Sequence, residues 1–361
     1  MGADVAQTSQ FRKSLTEPGI VAALGAALLF GAGTPLAKLL LRDISPWLMA
    51  ALLYLGSGVG LGIYRLVRRS PPIRLAPGDW PWLAGAIFMG GVVGPGLQML
   101  GLTHMPASGA SLLLNAESVF TALLAWFVFK ENFDKRIALG MGSILVGLII
   151  LSWPGQATFA GVVPALCVLG ACLCWGIDNN LTRKVSLIDA TWIACLKGIV
   201  AGSVNLALAL VLGAKRPSFL HVAGSMIVGL FAYGISLVLF VVSLRHLGTA
   251  RTGAYFSIAP FFGAVLSILL LHERLSIQLV AAGAFMALGL WLHLTEKHVH
   301  SHAHPTVDHE HEHTHDEHHQ HDHPYPVAPG TTHTHVHHHE PMTHSHEHYP
   351  DTHHRHEHDE E

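Results

Sequence analysis

Charged side chains make up only 12% of the 361 residues, against about 25% in an ordinary soluble domain. Residues 298–361 hold 13 of the Asp and Glu, one Arg and 24 of the 29 His. The preceding 297 residues carry 20 Lys and Arg against 11 Asp and Glu, a net of +9, and the tail carries −12 with neutral imidazoles. Cysteine is also scarce. The four present, Cys167, Cys172, Cys174 and Cys195, crowd into one stretch, which excludes a disulfide framework. No G-x-x-x-x-G-K-[ST] run occurs, which argues against a built-in ATPase. No nucleophile–base or metal-hydrolase constellation is present either, so an enzyme is not expected. A small-residue cleavage site is missing after the first apolar run, so that run is expected to stay as a signal anchor.

Long apolar runs are what the chain does have. A helix needs about 20 mostly apolar residues to cross hydrocarbon. Ten candidate spans read at 19–41, 46–66, 80–102, 107–129, 137–153, 159–179, 190–213, 219–244, 252–271 and 277–294. Few show a polar face, as helices of a soluble bundle would. With the N-terminus in the cytoplasm, inner loops collect fourteen Lys and Arg and outer loops five (Lys38, Arg42, Lys215, Arg216 and Arg274). The positive-inside rule then places both termini in the cytoplasm of a cell with this protein in its inner or plasma membrane.

The chain also reads twice. Phe30-Gly31 lies 145 positions before Trp175-Gly176, and Trp47 lies 145 before Trp192. Later in each half the offset becomes 142, matching His104 with His246, Glu131 with Glu273 and Gly147 with Gly289. Five spans per copy is an odd number, so the copies must have opposite orientation, an inverted repeat of the kind common in secondary transporters. The expected fold is an all-α membrane protein: a cytoplasmic segment 1–18, five-helix repeats at 19–154 and 155–297, and a tail at 298–361.

Three stretches carry a family likeness: Leu-Leu-Phe-Gly-Ala-Gly-Thr-Pro at 28–35, the run from Asn115 to Glu131, and the run from Ala259 to Glu273. The chain resembles the drug/metabolite transporter superfamily and, within it, the EamA-type exporters. That family usually has a Pro in the fourth helix, where the first copy has Ser118 and the second Pro260. The resemblance implies gradient-driven transport of a small solute; the family's substrates include amino acids, nucleotides, drugs, sugars and metal ions. Members with histidine-rich ends resemble nickel/cobalt-resistance proteins.

Ionisable groups inside spans are costly and mark pathways. Glu117 lies near the centre of the fourth span and suits a substrate cation or a proton; a structural ion pair is the plainer alternative. Lys197, in the seventh span, could pair with Glu117, bind an anionic group, or snorkel to the interface. Asp178, Asn179, Asn115, Gln98 and Asn205 are further polar groups in spans. Cys167, Cys174 and Asp178 fall on one helical stripe that could hold a soft or borderline divalent metal, although buried cysteines more often pack. His104, His221, His246 and His293 all sit near span ends.

The tail alternates histidine with small, acidic or polar residues: His298, His300, His302 and His304; His309, His311, His313 and His315; His333, His335, His337, His338 and His339; His344, His346 and His348. Neutral imidazole suits Ni, Co, Zn or Cu. With six prolines and no core pattern, the tail is expected to be disordered until metal binds. Export of a divalent transition metal (nickel or cobalt, then zinc), with ions captured by the tail, is the first reading. The second is an amino-acid or small-metabolite exporter whose tail buffers or senses metal; a membrane-anchored metal store is a third. No cofactor is required. The expected partners are the bilayer, a small solute or metal ion and, in a homodimer, a second copy, but not nucleic acid.

Overall fold

The computed structural model describes residues 17–73, 75–129, 135–152, 162–185, 188–294, 299–304, 307–313, 333–339 and 342–347. Glu131, His298, His315 and His348 lie outside the described residues, as do five of the fourteen inner-loop basic residues, Arg12, Lys13, Arg74, Lys130 and Lys297. The chain divides into two compact units, Met1–Glu296 and Lys297–Glu361.

All the regular secondary structure among the described residues of the first unit is helical. Its α-helices are α1 (Pro18–Leu40), α2 (Pro46–Val67), α3 (Trp80–Ala86), α4 (Gly94–Thr103), α5 (Ala107–Leu113), α6 (Ala116–Phe129) and α7 (Lys135–Ser152) in the first copy. The second copy has α8 (Val162–Lys184), α9 (Ala190–Val211), α10 (Phe219–Gly229), α11 (Ser236–Phe256), α12 (Ala259–Leu271) and α13 (Ile277–Leu294). Proline starts α1 and α2, where its missing N–H costs nothing. Asp189 starts α9 by accepting from the amides of Thr191 (2.7 Å) and Trp192 (3.0 Å). Partial burial works to raise the Asp189 pKa, but these bonds, one from the Thr191 hydroxyl and the Arg65 guanidinium hold it below the usual carboxylate value.

Among the described residues seven ranges are long and apolar enough to cross a membrane: Pro18–Leu40, Pro46–Val67, Pro77–Thr103, Ala107–Val128, Val162–Lys184, Ala190–Val211 and Phe219–Ser243. Three shorter apolar helices, Ala138–Leu151, Ala259–Leu271 and Ile277–Leu292, fall within the expected fifth, ninth and tenth spans. Large side chains point outward from this bundle; Ile277, Phe219, Val211 and Leu66 are all more than 75% exposed. An apolar exterior suits a molecule that is a chain of the bilayer rather than of water.

Two expected spans are not continuous helices. Between α5 and α6, Leu114 and Asn115 form a turn held by tight i to i−3 bonds, Leu114 N to Ser111 O (3.2 Å) and Asn115 N to Leu112 O (3.1 Å). The Asn115 side chain competes for the same Leu112 carbonyl at 2.9 Å, which is how such residues interrupt helices. Between α11 and α12, Ser257 and Ile258 make the equivalent break just before Pro260, which has no amide to continue the ladder. Two further segments, Ile87–Val93 and Leu230–Ile235, are π-helical and also occupy matching places in the two copies.

The helical assignment of α11 runs through residues expected to form a loop, yet the chain reverses within it. The Ser243 and Thr252 hydroxyls are 3.0 Å apart, whereas nine residues of straight helix would span about 13.5 Å. The rings of Phe240 and Phe256 are likewise 4.9 Å apart. The chain therefore doubles back between Ser243 and Thr252.

Packing follows the repeat. α1 packs on α11 and α12, and its counterpart α8 packs on α4 and α6. α2 meets its own counterpart α9 at glycines: a Cβ on Gly58 would lie 2.4 Å from Ile199 N, and one on Gly202 would lie 2.7 Å from Leu55 N. The rising residue numbers of one helix meet falling numbers of the other, so the two cross antiparallel. α7 and α13 do the same, with Gly147 against Met286 and Gly289 against Ile144.

The second unit corrects an expectation. Rather than lacking regular structure, Val299–His304 pairs with Met342–Glu347, and Val307–His313 with His333–His339, both antiparallel. Strict alternation is the period of a strand, and the sequence reading gave more weight to the prolines. His309, His311 and His313 take register positions opposite His337, His335 and His333.

Replacing Gly58 by Ala should lower the thermal unfolding temperature in detergent, because overpacking costs about 1–3 kcal/mol. Gly62→Ala, one turn on, should be nearly neutral, since its Cβ would meet only Cys195 Sγ at 3.6 Å. Equal stability of the two variants would show that α2 and α9 do not touch at Gly58.

Candidate functional site

A cavity opens between the two copies where the interrupted helices converge. Its walls include Phe30 from α1, Tyr54 and Ser57 from α2, Glu117 from α6, Trp175 and Asp178 from α8, Lys197 from α9 and Tyr233 from the second π segment. The space open to the centres of water molecules is about 80 Å³, enough for several waters at about 10–15 Å³ each.

The cavity's groups are fixed by the helix interruptions. Widening an α-helix to a π turn changes carbonyl pairing, and here the exposed oxygens find side-chain donors. Gly90 O accepts from Tyr54 OH (2.6 Å) and Trp175 Nε1 (3.0 Å), and Gly91 O accepts from Asn205 Nδ2 (2.9 Å). Tyr233 OH donates to Gln98 Oε1 at 2.8 Å, and Gln98 Nε2 faces Thr34 Oγ1 at 3.5 Å. Phe30 is the hub of the rings, with centroids 5.9 Å from Trp175, 5.8 Å from Tyr233 and 5.3 Å from Phe256.

Three charges face this space, and they are not equivalent. Lys197 is 4% exposed and Asp178 6%. The Lys197 ammonium donates to both Asp178 oxygens, at 2.6 Å to Oδ1, and Thr182 Oγ1 adds a bond to Oδ1 at 2.9 Å. Glu117 stands in the first turn of α6 with a neutral partner: Asn179 Nδ2 donates to its Oε1 at 2.9 Å and also reaches Thr121 Oγ1 at 3.3 Å. The pairing of Lys197 with Glu117 considered from sequence is therefore corrected. Asp178, on α8, takes the ammonium instead.

The structure brings Glu117, Asp178, Asn179 and Lys197 to one cavity. Gln98 reaches it through Tyr233, and Asn115 stands behind it at the helix break. The Cys167, Cys174 and Asp178 stripe faces the glycines of the third span: Gly101 beside Cys167 Cβ, Gly94 beside Cys174 Cβ and Gly90 beside Asp178. Among the described residues no group of three or more His, Cys, Asp and Glu is placed to hold a metal ion. The aromatic walls were missed from sequence. Their one available signal was that Phe30 and Trp175 occupy the same place in both copies, each just before a glycine.

The sequence profile of the EamA-like transporter family matches the chain twice, over residues 17–153 and 163–295. An uncharacterized transporter of Methanothermobacter thermautotrophicus is 26% identical over 292 residues, covering 76% of this chain and 85% of that protein. An uncharacterized transporter of Bacillus subtilis is 24% identical over 262 residues, covering 70% and 84%. A "probable amino-acid metabolite efflux pump" of Salmonella typhimurium is 31% identical over 84 residues, covering 22% and 27%. A solved crystal structure superposes with a TM-score of 0.61 at 17% identity, covering 76% of this chain and 94% of that one; this likeness concerns the fold alone.

Breaking a buried pair by removing one partner costs about 3–5 kcal/mol, whereas apolar replacement of both is often near neutral. Asp178→Asn should therefore lower the unfolding temperature sharply, and Asp178→Leu with Lys197→Met should recover most of the loss. Gly90→Ala should resemble the single variant, since its Cβ would fall 1.8 Å from Asp178 Oδ2. Additive losses in the double variant would mean that the two charges do not depend on each other.

Proposed function

The chain belongs to the EamA-like transporter family, and from that premise we propose that it is a secondary exporter of small organic solutes bearing an ammonium group, taken up in the aromatic cavity with Glu117 as counter-ion. One observation carries this reading: the cavity holds two carboxylates and one ammonium, and the ammonium is committed to Asp178. Glu117 is left with an amide partner only, so an incoming cation gains a full charge-assisted bond there. Ring faces beside a carboxylate add attraction for the same cation and shelter an apolar body. The efflux role named for the Salmonella relative agrees with this.

The same reading takes residues 19–154 and 155–297 as two inverted five-helix repeats. Antiparallel crossing of α2 with α9 and of α7 with α13 supports it, since equivalent helices of inverted copies must run in opposite directions. The bias of basic residues supports an inner- or plasma-membrane location with both termini cytoplasmic.

The density of histidine in residues 298–361 favours a second reading, export of nickel, cobalt or zinc. Against it stands the donor set of the helical unit: among the described residues no three His, Cys, Asp or Glu side chains are placed together to hold a metal ion. We therefore assign the tail to cytosolic metal binding, as a buffer or sensor, and the cavity to the solute.

Uptake of labelled amines and amino acids into inverted vesicles tests the cavity. Glu117→Gln should cut flux about tenfold or more while leaving a monodisperse folded protein, since a bond to a charged partner is worth about 1.5–3 kcal/mol. Undiminished flux would remove Glu117 from the pathway, and uptake of labelled nickel, cobalt or zinc in place of amines would restore the metal reading. Deleting residues 298–361 should leave solute flux unchanged and lower the nickel or zinc bound per chain. Loss of flux on deletion would make the tail part of the pathway.

A further inference from the structure

A second, wetter cavity, of about 410 Å³ open to water centres, lies where α4 turns into α5. Lys38, His104, Ser108, Glu273 and Gln278 are among its walls. Here the two copies meet through charge. α12 ends at His272, whose left-handed backbone (φ 52°) turns Glu273 back towards the first copy. Both carboxylate oxygens then accept the opening amides of α5: Oε1 from Ala107 N at 2.7 Å and Oε2 from Ser108 N at 2.9 Å. Those amides have no partner inside their own helix. On the other side of the same corner, the Lys38 ammonium donates to the last carbonyls of α4, Leu102 O and, at 3.2 Å, Thr103 O. One corner of the first copy is thus clasped by α1 and by a loop of the second copy.

This clasp sits at the start of α5. α5 and α12 touch at Gly263, where a Cβ would lie 2.8 Å from Ser111 Oγ and 2.7 Å from Gly31 O of α1. Ser111 is one turn from the clasp. At its other end α5 runs into the break at Leu114–Asn115 and so to Glu117. α5 is thus clasped at one end, packed against Gly263 near its middle and joined at the other end to the break before Glu117.

We propose that Glu273 is a gating residue. Its carboxylate latches the amides of Ala107 and Ser108, holds shut the mouth beside the second cavity, and must release them for that mouth to open. The inference needs a mouth that opens and closes, and it is indifferent to which solute passes.

The test reads access rather than flux, so its outcome is separate from that of the solute assignment. A cysteine is placed in the central cavity by Ser57→Cys in a full-length chain whose four native cysteines, all free thiols, are replaced by Ala, and a membrane-impermeant thiol reagent is applied from each face of sealed vesicles in turn. Glu273→Gln offers one acceptor for two amides and should raise labelling from one face about tenfold, while lowering it from the other. Ala107→Pro deletes one donor without touching Glu273, at a helix position where proline is welcome after the extended Pro106. It should shift labelling in the same direction, which guards against misfolding of the Gln variant. Parental labelling rates from both faces in Ala107→Pro, or in a folded Glu273→Gln, would overturn the proposal. Equal increases from both faces would also overturn it, since they would mean general loosening.

Discussion

In hydrocarbon a broken helix exposes amides and carbonyls that water cannot reach, and each must find a partner within the protein. Among the described residues the spans are interrupted four times, at two π segments and two turns, and the partners recruited there are groups that build the interior. Tyr54, Trp175 and Asn205 are drawn to the carbonyls of Gly90 and Gly91, and in meeting that need they shape the cavity wall. The break before α6 sets Glu117 in a first helical turn, where a carboxylate is favoured by the helix dipole. Site and scaffold are therefore not separable layers: the irregularities that would be a liability elsewhere hold the polar groups in place.

Much of the helical unit could be read from residues alone, because apolar runs of helical length leave few other folds open. The polar residues singled out inside those runs, Glu117, Asp178, Asn179 and Lys197, also line one cavity, because an ionisable group in lipid has few other places to be. Other features were hidden for identifiable reasons. A hydropathy window averages over about 20 residues, so the breaks at Leu114–Asn115 and Ser257–Ile258 vanish into it. Phe30, Tyr54, Tyr233 and Phe256 look like any other lipid-facing aromatic until the fold turns them inward. Glu273 reads as a loop charge, and its partners lie 165 and 166 positions away. Which carboxylate takes Lys197 depends on helix phase, which sequence spacing between separate helices does not carry.

The two copies share geometry but not chemistry. Breaks, π segments and glycine contacts recur in both, whereas the charges do not. Glu117 corresponds to Ala259, Asp178 to Gly33 and Lys197 to Leu52 at the offsets of the repeat. A symmetric frame thus encloses an asymmetric site, with Asp178 and Lys197 on the first two helices of the second copy and Glu117 on the fourth span of the first.

The union of Lys197 with Asp178 has an electrical consequence. A membrane potential does work only on net charge, about 2.3 kcal/mol per elementary charge for each 100 mV. A lysine and an aspartate that travel together contribute nothing to that work, however far their helices tilt. On the proposed reading, a monovalent cation seated on the Glu117 carboxylate forms a neutral unit, and that carboxylate alone bears the net charge of the empty cavity.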